Sequence, residues 1–259
     1  MGGLATSAAA QDPAHAISLF EFGGASGYSP GAGVITDRRG TIFGTTSIGG
    51  NGPCLGGAGC GMVFALSPPS AHGAPWAYNV LYNFQGGQDG GSPSAQLTTD
   101  DVGALYGYAT DGTWGTVFRL LPPEQDGGAW TFQILYVFTN QADGNLEAEY
   151  SPLILHRGAL IGTVEGDFDF FAGNVFKLTP PEDGGAWTYT RLWNFNLGPD
   201  RNPLNVVTGR GEICSERCRA EIPQTDRCSN SNCTEFAEAA QCQGVTPDPS
   251  LKKPTPAES

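Results

Sequence analysis

The chain is poor in charge, and in basic residues above all. Only 15% of its 259 residues are charged, and 26 Asp and Glu outnumber 13 Lys and Arg, which gives a formal net charge of -13. Proteins bind nucleic acids and anionic membrane surfaces through clusters of Lys and Arg. The acidic balance therefore argues against both of these partners.

Long apolar runs and recognisable catalytic motifs are also missing. No stretch approaches the roughly 18 consecutive apolar residues of a transmembrane helix, so we expect no membrane span. The chain has only 3 His. It has no HExxH zinc motif, no Ser nucleophile elbow and no phosphate-binding loop. From its motifs the sequence predicts no catalytic residue and no cofactor.

Glycine and proline are abundant instead. The chain contains 38 Gly and 19 Pro, and 10% of its residues are aromatic. Gly and Pro mark turns, whereas aromatic residues suit half-buried strands. This composition predicts an all-β protein built from short strands.

Four sequence markers recur in one order along the chain, which indicates an internal repeat. One is a strand that ends in Phe; the others are a Gly-x-Val-Phe segment, a short segment with Gly in third place, and a single Trp. They occur at Phe22, Phe84, Phe138 and Phe195; at residues 61–64, 115–118 and 173–176; at residues 42–45, 105–108 and 160–163; and at Trp76, Trp130 and Trp187.

Each unit is predicted to contain four antiparallel strands. In the middle unit these are residues 93–99, 104–108, 115–121 and 130–138, separated by turn-forming residues. Such units are typical of β-propeller blades. We expect about three complete blades and a partial fourth, in which the recurrent Trp residues pack rather than bind. Exposed blade edges would favour self-association.

Three segments resemble the repeat unit of the bacterial GloVer tandem-repeat family. They are residues 40–46 (GTIFGTT), 89–93 (DGGSP) and 173–180 (GNVFKLTP), and the resemblance covers about residues 17–207. It implies an exported β-propeller-like protein, often with a variable surface-sorting signal at its C-terminus. It implies no established activity.

The two ends of the chain differ from the repeat domain at residues 17–207. Residues 1–16 form a leader with small residues like the end of a secretory signal, but without its basic and apolar regions. A remnant signal peptide and an ordinary leader both stay open. We expect an extracellular or cell-surface location, and an outer strand at residues 17–22.

Residues 208–259 are predicted to form an irregular or disordered tail that is rich in cysteine. The odd number of cysteines, without a CxxC pair or nearby His, argues against zinc, and a small disulfide module stays open. A third hypothesis is a frameshift between Val207 and Glu212, because the codons for residues 212–217 can spell the repeat's GNLFGT when read one base earlier. The cysteines are Cys214, Cys218, Cys228, Cys233 and Cys242.

Few residues interrupt the repeat and are therefore candidates for a site. Cys54 and Cys60 lie in a glycine-rich insertion and form either a disulfide or two free thiols. Glu165, Asp167 and Asp169 replace a Gly-Gly stretch; they form either a solvated acidic loop, a calcium site or an acid/base group. Trp114 occurs in one unit alone and is the candidate ligand contact.

These observations favour a non-catalytic secreted or cell-surface protein that acts as a binding or scaffolding module. Its partner is an unknown surface or a carbohydrate. One alternative is a carbohydrate-active hydrolase or lyase that uses the carboxylates of residues 165–169. The other is a truncated or frameshifted gene fragment without activity.

Overall fold

The computed structural model of the chain describes residues 17–110, 114–125, 127–139, 151–164, 173–194, 206–209 and 212–215. Within them lie three four-stranded antiparallel sheets, each with its strands in chain order. The first has β1 (Ile35–Thr36), β2 (Ile42–Thr46), β3 (Met62–Ser67) and β4 (Ala77–Asn83). The second has β5 (Thr98–Thr99), β6 (Leu105–Ala109), β7 (Thr116–Leu121) and β8 (Thr131–Val137). The third has β9 (Ile154–His156), β10 (Ala159–Val164), β11 (Asn174–Thr179) and β12 (Thr188–Asn194).

The all-β class and the four-strand unit are confirmed by these sheets. The helical segments of the described residues are three short 3-10 turns at Gly24–Ser26, Cys54–Gly57 and Gly87–Asp89. In the second sheet, three strands match the predicted ranges to within about a residue. The first does not: residues 93–99 were expected to be extended, but only Thr98 and Thr99 pair with β6.

A glycine on the second strand of each sheet faces a phenylalanine on the third. The pairs are Gly44 with Phe64, Gly107 with Phe118, and Gly162 with Phe176. A Cβ atom added to Gly107 would lie 2.6 Å from Cζ of Phe118, so the ring covers the bare glycine backbone. The two recurrent markers thus describe one cross-strand contact.

A β-bulge recurs at the same place in all three sheets. The register shifts beside Phe64, Phe118 and Phe176. The residue opposite each shift is the Leu that opens the recurrent strand ending, at positions 81, 135 and 192. A bulge bends its strand and re-aims the side chains that follow. In the first and second sheets, these side chains contact the neighbouring sheet.

Neighbouring sheets meet along two seams that are filled by aromatic rings. At the first seam, between the first and second sheets, Tyr82 stacks on Phe132 with ring centroids 4.0 Å apart, and Phe84 contacts Phe118 at 5.3 Å. At the second seam, between the second and third sheets, the corresponding contacts are Tyr136 on Tyr189 at 5.0 Å and Phe138 on Phe176 at 5.4 Å. Each seam lies within one buried hydrophobic cluster.

Residues 17–22 contact the first sheet in a similar way but without pairing. Phe20 stacks on Tyr78 at 4.5 Å, and Phe22 lies 5.0 Å from Phe64. The predicted strand here is wrong, because these residues have no strand assignment. Their rings nevertheless occupy the position that Tyr82 and Phe84 occupy at the first seam.

A two-stranded sheet follows the third sheet. β13 (Val206–Gly209) pairs antiparallel with β14 (Glu212–Ser215), and β13 contacts β9. The sequence predicted an irregular tail from residue 208. Residues 208–209 and 212–215 instead lie in the strands of this two-stranded sheet. The rest of the predicted tail, the leader and the other tail cysteines lie outside the described residues.

Candidate binding cleft

Cys54 and Cys60 form a disulfide in the structure, within the loop between β2 and β3. The backbone N–H of Cys54 also lies 3.2 Å from Sγ of Cys60. The loop packs closely on the end of β4: a Cβ atom on Gly86 would lie 3.0 Å from Sγ of Cys54. The side-chain amide of Gln85 donates to Oδ1 of Asn51 at 2.7 Å. The bridge therefore holds a loop against the first seam.

The other predicted site residues are not brought together by the described structure. Trp114 is 43% exposed and lies two residues before the start of β7. Glu165, Asp167 and Asp169 lie outside the described residues. The described part of the chain has no group of three or more His, Cys, Asp or Glu side chains suited to a metal ion. Likewise, no helix within it is long and apolar enough to cross a membrane.

A cleft of about 380 Å³ lies where the turn ends of the first and second sheets meet. Its lining combines apolar side chains and polar groups in about equal measure, and the polar groups include those of the turns. The lining residues are Ile35, Thr36, Asp37, Arg39, Phe43, Thr99, Val102, Gly103, Pro122, Pro123, Gly127 and Trp130.

The turn between β1 and β2 places Asp37 and Arg39 at this cleft. Oδ1 of Asp37 accepts the backbone N–H groups of Arg39 and Thr41, at 2.9 and 2.8 Å. Gly40 completes the turn with a φ of 81°, a conformation that glycine adopts at little cost. Since both bonds reach Oδ1, the second oxygen of this carboxylate is available to a ligand.

The turn between β5 and β6 repeats this geometry, with one additional hydrogen bond to the aspartate carboxylate. Oδ1 of Asp100 accepts the backbone N–H groups of Val102 and Ala104 at 3.1 and 2.8 Å. Its Oδ2 accepts the hydroxyl of Tyr106 at 2.9 Å. Burial and then this bond to Asp100 raise the pKa of Tyr106, while Arg119 opposes the shift. Both oxygens of the Asp100 carboxylate therefore accept hydrogen bonds from within the protein.

At the second seam, a guanidinium group also packs on an aromatic ring. The guanidinium of Arg119 lies 5.8 Å from the ring centre of Trp187. It is held there by Gln133, whose Oε1 accepts from Nη2 at 2.6 Å and from Nε at 3.1 Å. A cation over an aromatic face is a favourable arrangement. Arg119 therefore covers the recurrent Trp of the third sheet.

The first seam lacks both of these side chains. By strand register, Phe43 corresponds to Tyr106 and Ala65 corresponds to Arg119. Phe43 has no hydroxyl to occupy Asp37, and the methyl group of Ala65 cannot cover Trp130. Trp130 contacts Phe43 edge to face at 6.0 Å and lines the cleft. Two departures from the repeat thus coincide at the cleft.

Trp130 was predicted to be a packing residue only. It does pack, on Phe43, but it also lines the cleft. Sequence reasoning missed this residue because the Trp recurs in every unit. The available signal was in its neighbours: Phe43 stands where the second unit has Tyr106, and Ala65 stands where it has Arg119.

A family model described as the Gloeobacter/Verrucomicrobia repeat matches residues 8–212. No curated protein is significantly similar to the chain.

Proposed function

The chain belongs to the Gloeobacter/Verrucomicrobia repeat family, as its sequence resemblance indicates, and from this we propose that it is an exported, β-propeller-like repeat protein that binds a ligand without turning it over. The binding site in this proposal is the cleft between the first and second sheets. The observation that carries it is that Asp37 and Trp130 both line this cleft. At the equivalent place in the second seam, Tyr106 bonds to Asp100, and Arg119 lies over Trp187.

The arrangement of the short first strands supports the propeller-like part. β5 contacts β9, and β9 contacts β13. The side-chain amide of Gln96 donates to the backbone oxygen of Val34 at 2.9 Å, and the hydroxyl of Thr98 donates to that of Leu153. Consecutive units are therefore linked along their first strands, as blades are around a propeller axis. In this proposal, β13 and β14 begin a fourth blade.

The disulfide between Cys54 and Cys60 supports export. Disulfides persist in oxidising compartments and are rare in the reducing cytosol. Fractionation of the source cells, with an antibody to the chain, tests this part. Recovery of the protein in the cytosolic fraction alone, with both thiols free to alkylation, would contradict export.

The binding part is tested by a thermal-shift screen of small polar and aromatic compounds. A ligand at a hundredfold excess over its Kd stabilises a protein by about 2.7 kcal/mol, which moves the midpoint measurably. The decisive variant is Phe43→Tyr, Ala65→Arg and Asn79→Gln combined, because Asn79 faces Ala65 as Gln133 faces Arg119. It installs in the first sheet the three side chains that the second sheet already carries.

We expect the wild-type chain to be stabilised by some compounds and the triple variant to lose those shifts while keeping its own folding midpoint. Hits that persist in the triple variant would place binding elsewhere. A complete absence of shifts would contradict the proposed function.

A further inference from the structure

We propose that the cleft binds a neutral sugar ring, with one face of the ring on Trp130 and a hydroxyl on Asp37. This inference rests on the proposed function and names its ligand class. It combines three properties of the cleft: an aromatic wall, a carboxylate oxygen and hydroxyl groups beside the turn, and a volume suited to a small unit.

The aromatic wall selects a ligand with a flat apolar face. Trp130, Val102 and Pro122 lie on the side of the second sheet. A pyranose ring presents several C–H groups on one face and its hydroxyls around the rim. Burial of such a face against an indole ring removes apolar surface from water and leaves the rim to form hydrogen bonds.

The turn provides groups that match a rim of hydroxyls. Oδ1 of Asp37 is used by two backbone N–H groups, at 2.9 and 2.8 Å, so Oδ2 is positioned to accept from a sugar hydroxyl. Thr36 and Thr99 each carry a hydroxyl that both donates and accepts. The contact from Oδ2 would replace the bond that Asp100 receives from Tyr106 in the next sheet.

Charge favours a neutral ligand. Among the described residues of the lining, the carboxylate is that of Asp37. The chain as a whole carries a net charge of -13, and such a field opposes the approach of polyanions. Acidic polysaccharides are therefore disfavoured.

The volume of about 380 Å³ lies at the small end of ligand sites. It suits a single sugar unit rather than a folded peptide segment. Asp37 and Arg39 are exposed at the turn, so the neighbouring units of a longer glycan would lie over the turn surface.

Isothermal titration calorimetry with the full chain tests the proposal. The neutral probes are cello-, xylo-, manno-, galacto- and malto-oligosaccharides, and the other two classes are oligogalacturonate and a proline-rich peptide. We expect at least one neutral glycan to bind. Trp130→Phe should weaken this binding about tenfold, because the smaller ring covers less of the sugar face.

Asp37→Asn is the second variant, because it keeps Oδ1 for the turn and replaces only Oδ2 by an amide nitrogen. It should weaken binding about fivefold to tenfold, since a hydrogen bond to a charged acceptor is lost. Trp187→Phe is the matched control, as it makes the same change at the second seam, and it should leave the affinity unchanged.

Several results would overturn the inference. Equal effects of Trp187→Phe and Trp130→Phe would show that the loss follows destabilisation and not contact. Binding of oligogalacturonate or the peptide in preference to neutral glycans, with sensitivity to Trp130→Phe, would reject the neutral sugar and keep the cleft as the binding site. If no neutral glycan binds, the sugar proposal is wrong, and the thermal-shift screen decides separately on the proposed function.

Discussion

At the scale of single residues, Gly107 shows why a glycine recurs at the same place on the second strand of each sheet. A Cβ atom at this position would lie 2.6 Å from Cζ of Phe118 and 2.9 Å from Cδ2 of Leu97. Both neighbours are almost completely buried, so neither ring nor methyl group has room to withdraw. The glycine is required by packing and not by its backbone angles.

Gly107→Ala should therefore destabilise the protein by about 1–3 kcal/mol, the range for overpacking a tight core. Urea unfolding followed by tryptophan fluorescence measures this loss. Gly31→Ala is the control, because a Cβ atom there meets nothing within 4 Å, and it should change stability by much less. Equal losses in the two variants would refute the packing explanation.

Two half-buried tyrosines of β4, Tyr78 and Tyr82, make the stability of the protein fall at alkaline pH. Burial raises the pKa of Tyr78 to about 12, and burial together with the bond to Asp89 raises the pKa of Tyr82. The hydroxyl of Tyr82 donates to Oδ2 of Asp89 at 2.9 Å. In the unfolded chain a tyrosine titrates near pH 10, so the folded state holds these protons more tightly.

The sign follows from proton linkage. Above about pH 10 the unfolded chain releases these tyrosine protons while the folded chain keeps them, so stability is fully present below pH 10 and falls as the pH rises toward 12. The free energy of unfolding measured from pH 9 to 12 should decline. Tyr78→Phe should decline less steeply, because one of the titrating groups is removed. An unchanged slope in that variant would contradict the assignment.

At the scale of elements, the disulfide loop is an insertion held against the end of β4. A bridge between Cys54 and Cys60 closes a short loop, for which loss of unfolded-chain entropy stabilises by about 2 kcal/mol. Cys54→Ala combined with Cys60→Ala should lose about this amount in urea unfolding. Reductant should lower the wild-type midpoint by a similar step. A double variant as stable as wild type would contradict a structural role.

The strands were predictable from the sequence where the turn-forming residues and the packing of the side chains indicate the same boundaries. In the second sheet, β7 has both a recurrent Gly before it and a Pro-Pro turn after it, and its predicted range holds to about a residue. Residues 17–22 carry the same aromatic pattern as a strand end, but no partner strand pairs with them. A pattern of side chains specifies a packing position, whereas a strand also needs a neighbour for its backbone hydrogen bonds.

The cleft was harder to predict than the strands. Its residues come from two units, and the differences that open it are the absence of a hydroxyl at Phe43 and of a guanidinium at the neighbouring Ala65. Neither difference is evident in the sequence alone, because the strand register is needed to show that Phe43 pairs with Ala65 as Tyr106 pairs with Arg119. The predicted candidate Trp114, in contrast, stands out in the sequence because it is unique, which says nothing of what surrounds it.

At the scale of the whole molecule, the stability of the three sheets depends on contacts between neighbours. One buried cluster joins the first and second sheets and contains Phe84, and another joins the second and third sheets and contains Phe138. Repeat proteins of this kind behave as a series of units coupled to their nearest neighbours. Damage at one seam should therefore act mainly on the two sheets that share it.

Phe84→Ala and Phe138→Ala test this coupling as a matched pair. Both side chains are almost fully buried, and each truncation should cost about 3–5 kcal/mol. Hydrogen exchange followed by mass spectrometry should show that Phe84→Ala lowers protection in β2 and β3 but spares β10 and β11. Phe138→Ala should lower protection in β10 and β11 and spare β2 and β3. The central strands β6 and β7 share both seams and should lose protection in both variants. If either variant exposes all three sheets equally, the sheets unfold as one cooperative unit and nearest-neighbour coupling is wrong.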